Sequence, residues 1–302
     1  MITPDRMSRK QLKELRLLQK RSGRHGQGLF IVEGLRAVRQ VIDNRVLQPV
    51  SLILDEGVIE AELKARNSDA SSSDGFDGSA GEERATMGAI IAEKTRDFPL
   101  YAVSSTVFRQ LSDTDSAQGV MAVCRIPGQA SSGNLVGGKG TLLVLDRIQD
   151  PGNLGTMIRT AVWFGLMGIV VSPGTVDLFH PKVVRSTAGA TGVLPWLETE
   201  LPDFLSLASE NGWRIHLLDA GPGSKSWREL SLSDRQIIVV GNEANGIATE
   251  VREQGHDLVR IDGVPGSNSG QLEGRAGNAA NNVESLNASV AAAIVIAHLS
   301  KK

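Results

Sequence analysis

Asn153, Arg159 and Glu243 stand shortly after apolar runs and close to glycines, and Asn287 follows a longer Gly/Asn/Ser-rich stretch. Asn153 and Arg159 belong to DPGNLGTMIRTAVWFG (150–165), Glu243 to GNEANGIATEV (241–251), and Asn287 to NNVESLNASVAAAIVIAHL (281–299). Two amides, a guanidinium and a carboxylate orient a substrate and steer charge. Other chemistries lack their residues. GPGSKS (221–226) follows a strand-like run, yet Ser226 stands where a dinucleotide fingerprint needs its last glycine, and no Gly-Lys-Ser/Thr is contiguous. His25, His180, His216, His256 and His298 show no paired ligand spacing, so no metal is expected. There is no Gly-x-Ser-x-Gly elbow. Taken singly, each candidate has an ordinary reading: an ion pair for Arg159 and Glu243, a turn for Asn153, a helix cap for Ser285 or Asn287. Their joint occurrence carries the weight.

The elements that must position them are legible. TLLVLDRI (141–148), GIVVSP (168–173), WRIHLLDA (213–220), QIIVVGN (236–242) and DLVRID (257–262) read as strands alternating with helical segments. That rhythm predicts an α/β domain with a mostly parallel sheet covered by helices. Ligands in such sheets sit at the carboxyl ends of the strands, where the candidates fall. The run from Ala288 to Leu299 is almost wholly apolar behind a polar doorstep of Asn282, Glu284, Ser285 and Asn287.

The first half differs. Residues 1–40 carry ten Lys/Arg against three acids, although the whole chain has a net charge of −2. Leu12, Leu15 and Leu18 predict a helix with one buried stripe and a basic outer face, either merely solvated or contacting phosphates through Arg16, Lys20, Arg21 and Arg24. VSLILDE (50–56), PLYAVSSTVF (99–108) and GVMAVCRI (119–126) read as strands of a smaller α/β domain over 1–127. The Ser/Gly/Asp-rich stretch 67–83 reads as a disordered insertion, and 128–140 as a flexible linker to a domain over 141–302.

NLGTMIRTA, VVGNEANGI and VESLNASVAAAI, in this order and spacing, resemble the three motifs of the SpoU (TrmH) group of SPOUT methyltransferases. LKELRLLQKRSGRHGQGLFIVEGLRAV (12–38) and SSTVFRQLSDTDSAQGVMAV (104–123) resemble the RNA-binding extension of many members. The resemblance implies a sheet with a trefoil knot, a homodimer, and methyl transfer from S-adenosylmethionine to a ribose 2′-hydroxyl of RNA. Arg159 would then activate the hydroxyl or clamp the adjacent phosphate, with Asn153, Glu243 and Asn287 beside it. Donor contacts would come from Leu218, Gly241, Ile261, Ser285 and Leu286, with glycine at 241 letting the chain approach the ligand. In one respect the chain departs from the pattern: DGVPGSNSGQLEGRAGNAANN (262–282) replaces a much shorter passage before Ser-Leu-Asn.

The resulting expectation is an RNA ribose methyltransferase, with rRNA favoured over tRNA. A non-catalytic RNA-binding assembly factor of the same fold is the alternative, and the missing fingerprint disfavours a dehydrogenase. One cysteine, Cys124, suits a reducing compartment, cytoplasmic or organellar. No apolar run reaches the roughly 18 residues of a membrane span, so no membrane partner is expected.

Overall fold

The leucine stripe folds as a helix, α1 (Arg9–Leu17), which buries Leu15 and, at its C-cap, Leu18. Ser8 starts it: its hydroxyl accepts from the Gln11 N–H, and the Gln11 side chain accepts from the Ser8 N–H in return. The computed structural model describes residues 4–44, 46–61, 98–114, 116–254, 256–263 and 285–300. The chain divides into two units, one of residues 1–128 and 177–193, the other of 129–176 and 194–302. It therefore crosses between them three times.

The first unit is built on a mixed sheet of β1 (Asp5–Arg6), β2 (Leu29–Glu33), β3 (Pro49–Asp55), β4 (Leu100–Val103) and β5 (Val120–Arg125), in the order β1-β4-β3-β5-β2. Strands β1, β4 and β3 run parallel, while β5 is antiparallel to both β3 and β2. Helices α2 (Arg21–Gln27), α3 (Leu35–Asn44) and α4 (Ser105–Leu111) accompany the sheet. The run 99–108, read as a single strand, splits in two. Ser104 ends β4 and caps α4 by accepting the Val107 N–H. The stretch 67–83 lies outside the described residues.

The rest of this unit comes from far along the sequence. Residues 177–193 carry a short helix (Pro181–Ser186) that packs on β2, with Val183 and Val184 buried and the Phe179 ring 4.9 Å from that of Phe30. A buried ion pair latches the segment. Arg24, only 1% exposed, donates from Nε to Asp177 Oδ2 at 2.7 Å and places Nη2 at 2.5 Å from the same oxygen. Its Nη1 donates to the carbonyls of Leu18 and Gln19. Arg24 is therefore no phosphate contact; its charge is spent inside.

The second unit holds a seven-stranded, all-parallel sheet. Its strands are β6 (Gly140–Leu145), β7 (Gly168–Val171), β8 (Trp196–Glu198), β9 (Arg214–Leu218), β10 (Lys225–Ser226), β11 (Arg235–Val240) and β12 (Asp257–Arg260), in the order β10-β12-β9-β11-β6-β7-β8. The central strands are buried on both faces, hence their unbroken apolar runs. The stretch 128–140 is not a flexible linker: Ser131 caps a helix over Ser132–Gly137, and Leu135 and Val136 join the core of this unit. The helix over Ala288–Leu299 packs on that over Pro151–Trp163 and on β11, and Gln236 Nε2 donates to the Leu299 carbonyl. The trefoil knot implied by the resemblance turns on the path of residues 264–284, which lie outside the described ones.

Breaking a buried pair costs more than replacing it whole. Arg24→Met or Asp177→Leu alone should lower unfolding stability by about 3–5 kcal/mol, read as a shifted urea transition. The double variant should be less destabilised than the sum of the two; strict additivity would show that the groups do not depend on each other.

Candidate active site

The first strand-end segment begins at Asp150, which caps the helix over Pro151–Trp163 (hereafter α5) by accepting the Asn153 N–H at 2.7 Å. Pro151 fits the first turn, where an N–H would have no helical partner. This fixes Asn153 at the helix start, and three segments meet around it. Asn153 Nδ2 donates to Glu243 Oε1 at 3.0 Å. Asn287 Nδ2 donates to Asn153 Oδ1 at 2.9 Å. Glu243 also accepts the backbone N–H groups of Gln149 and Asp150, both at 3.3 Å.

Partial burial alone would raise the Glu243 pKa, yet the hydrogen bonds from Asn153, its own amide, Gln149 and Asp150 outweigh it and hold the group below its usual value. Glu243 is thus a loop-holding anion. It forms no ion pair with Arg159 among the described residues.

Asn287 has two jobs. Its Oδ1 accepts from the N–H groups of Ser289 and Val290 and from the Ser289 hydroxyl, capping the terminal helix, while its amide reaches Asn153. The polar doorstep exists because that helix needs a cap and the cap also reaches the site. Ser285 lies exposed in the bend before it and does not cap.

Sequence reasoning missed the buried layer beneath. Asp146, 2% exposed, accepts from the Ala248 N–H at 2.7 Å, from the Ser172 hydroxyl, and from Arg147 Nε and Nη2. Arg147 has φ = 55°, a left-handed backbone that side chains seldom adopt. Its peptide is held on both sides: the N–H donates to Ser172 Oγ at 2.8 Å, and the carbonyl accepts from Asn242 Nδ2 at 2.7 Å. Asn242 Oδ1 in turn accepts the N–H groups of Ala244 and Asn245. The only sequence signal was an acid closing the apolar run TLLVLD.

Arg159 stands apart. It lies six residues beyond Asn153, about 120° around the helix, on an exposed line with Gly152, Thr156 and Trp163. Its side chain makes no hydrogen bond or ion pair among the described residues.

The proposed donor contacts fall on adjacent strand ends. Val240 pairs with Leu218, and Leu218 with Val259, so Gly241 and Ile261 leave the sheet within two residues of one line. Leu218 and Ile261 are half-buried, and Leu286 is 47% exposed just before the terminal helix. Apolar side chains beside backbone polar groups suit an adenine and a methionine chain, so these residues fit S-adenosylmethionine. Gly241 is also required within the chain itself: a Cβ there would lie 2.4 Å from the Gly246 carbonyl carbon and the Ile247 nitrogen. The turn folds back on it.

Parallel strands whose ends gather amides and a carboxylate make an α/β fold with a positioning site at the strand ends. Residues 140–269 match the SpoU rRNA Methylase family, and residues 9–122 the MRM3-like substrate binding domain. The 23S rRNA (guanosine(2553)-2′-O)-methyltransferase RlmP of Bacillus subtilis (strain 168) is 34% identical over 199 residues, 66% of this chain and 71% of that protein. A putative RNA methyltransferase of the TrmH family from Porphyromonas gingivalis superposes with TM-score 0.70 at 25% identity, covering 97% of this chain and 98% of that one. The AdoMet-bound rRNA methyltransferase from Sinorhizobium meliloti has TM-score 0.69 at 23% identity, over 97% and 94%, and likewise shares the fold. The chain belongs to the SpoU family of RNA methyltransferases, enzymes that transfer a methyl group from S-adenosylmethionine to a ribose 2′-hydroxyl.

The depressed Glu243 pKa makes a signed prediction. Its contribution to stability is present above the unfolded pKa of about 4.3 and is lost as pH falls through the lower folded value. Asn153→Ala should move that folded value upward, measured by carboxyl-carbon NMR titration. An unmoved titration would detach Asn153 from Glu243.

Proposed function

We propose that this chain methylates a ribose 2′-hydroxyl of ribosomal RNA as a homodimer, with Asn153, Arg159, Glu243 and Asn287 as the working set. The observation that carries this reading is the hydrogen-bonded series Asn287–Asn153–Glu243. It joins all three motif segments, including one beyond residue 269, where the family match ends. The relative from Bacillus subtilis, by its name, acts on 23S rRNA, which supports rRNA over tRNA.

When bound, S-adenosylmethionine supplies a methyl group on a sulfonium. Leu218, Gly241, Ile261, Ser285 and Leu286 would hold it. What remains for the protein is alignment and charge. Glu243 fixes the turn at 149–150 and the Asn153 amide; Asn153 and Asn287 orient the ribose. Arginine stays protonated in proteins, so Arg159 would grip the phosphate beside the target ribose and stabilise the oxygen while the hydroxyl proton passes to solvent water.

Dimerisation gives Arg159 its place. The helix face that carries it ends in Trp163, 81% exposed, and Phe164 and Val290 are also exposed on the packed pair formed by α5 and the terminal helix. Trp163, so exposed and followed directly by Phe164, is a candidate contact for a second copy. A second copy covering it would receive Arg159 at its own site.

Mapping ribose methylation in RNA from cells with and without the protein tests the function. One rRNA methyl should vanish with the gene and return with the wild type. A returning tRNA methyl would reassign the substrate, and no methyl at all would favour an assembly factor. Trp163→Arg should yield a monomer by light scattering, with methyl transfer reduced at least tenfold; an active monomer would remove the partner from the site. Arg159→Lys keeps a charge but loses the planar fork, so a phosphate clamp predicts low activity at every pH. Activity rising with pH would instead identify residue 159 as the base.

A further inference from the structure

Residues 177–193 fall within the stretch that matches the methylase family, yet they pack with the first unit. Besides the Arg24–Asp177 latch, Asp177 Oδ1 lies 3.3 Å from His25 Nε2. Two glycines let the return limb lie flat: a Cβ on Gly192 would come 2.4 Å from Leu47, and Gly189 has φ = 94°. This stretch is a built part of that unit.

Its charges are sorted. Asp177 is buried against Arg24 and His25. Arg185 meets Asp113 through its carbonyl and its carboxylate. Glu33 accepts from Ser112, Thr114 and the Asp113 N–H. The acids of this region are thus engaged within the unit. The cations face out: Lys182 is exposed and has no acidic partner among the described residues, and Lys20 is exposed as well. Gln19, Pro181 and Arg185 line one small cavity together with the engaged acids Glu33 and Asp113, so the two chain stretches meet there, with Lys20 and Lys182 each one residue beyond the lining. Among the described residues of 177–193, the only exposed large apolar side chain is Val193, at the end of the segment. A protein partner would ask for an apolar centre; a phosphate backbone asks only for cations.

We propose that Lys182 is a phosphate contact and that the RNA-binding surface of the first unit is built from two separate stretches of chain, the basic N-terminal segment and residues 177–193. The proposal rests on the reading of the substrate as RNA. It extends that surface to a segment that lies outside the match to a substrate-binding domain.

The test uses the full chain and a labelled RNA hairpin, with affinity measured across a potassium chloride series. Lys182→Ala should weaken binding at low salt and reduce the magnitude of the log–log salt slope by about 0.7–0.9. Lys182→Glu should weaken it further. S-adenosylmethionine affinity, measured by calorimetry, should be unchanged in both and reports folding. A wild-type slope in a donor-binding Lys182→Ala protein overturns the proposal; if Lys20→Ala/Arg21→Ala still flattens the slope, the surface is the N-terminal segment alone. A wild-type protein that binds donor but no RNA would instead sink the functional reading.

Discussion

The carboxylate of Glu243 is the constraint on which the site depends. Two backbone N–H groups at the end of the first strand-end loop and the amide of Asn153 all need an acceptor, and one anion serves the three. Because Asn153 is then fixed at its nitrogen, its oxygen is left to receive Asn287. A loop after β6, a turn after β11 and the start of the terminal helix become one object. The buried Asp146 does the same one layer deeper, holding β7 through Ser172 and the 241–248 turn through Ala248. An apolar residue at either position would leave amide groups without partners, at about 1–3 kcal/mol each where they are buried.

The terminal helix shows how one segment serves packing and site together. Its inner side, with Ala292, Val295, Ile296 and Leu299, is buried in the unit, while Val290 remains exposed on the other. Uniform apolarity would be wasteful for a helix with only one covered face. Most of its remaining residues are half-buried, so little of that apolar surface is fully open.

Much of this was legible, for physical reasons. Buried parallel strands carry apolar runs, so β6, β7 and β11 announced themselves, while β9 and β12 showed through shorter apolar stretches bounded by charged residues. Strands β8 and β10 have three and two residues, too few to carry a pattern. The split at Ser104 escaped notice because the β-branched Thr106 and Val107 beyond Ser104-Ser105 suit a strand as well as a helix. Asn153, Glu243 and Asn287 could be read because glycine-bounded turns flag strand ends. Arg147 could not, since a left-handed backbone is not written in an arginine. Arg24 was misjudged for a related reason: among neighbouring cations nothing marks the one whose partner lies 153 residues away.

That distant partner bears on how such a chain can be assembled by descent. Fusing a ready-made RNA-binding module to a methylase at a single junction would leave Arg24 without its carboxylate and Phe30 without the ring of Phe179. The module and the loop between β7 and β8 must therefore change together, although a hundred and fifty residues separate them. Recombination at residue 128 would be punished even where both donors are stable, and chimeras should survive only when residues 177–193 travel with the N-terminal unit.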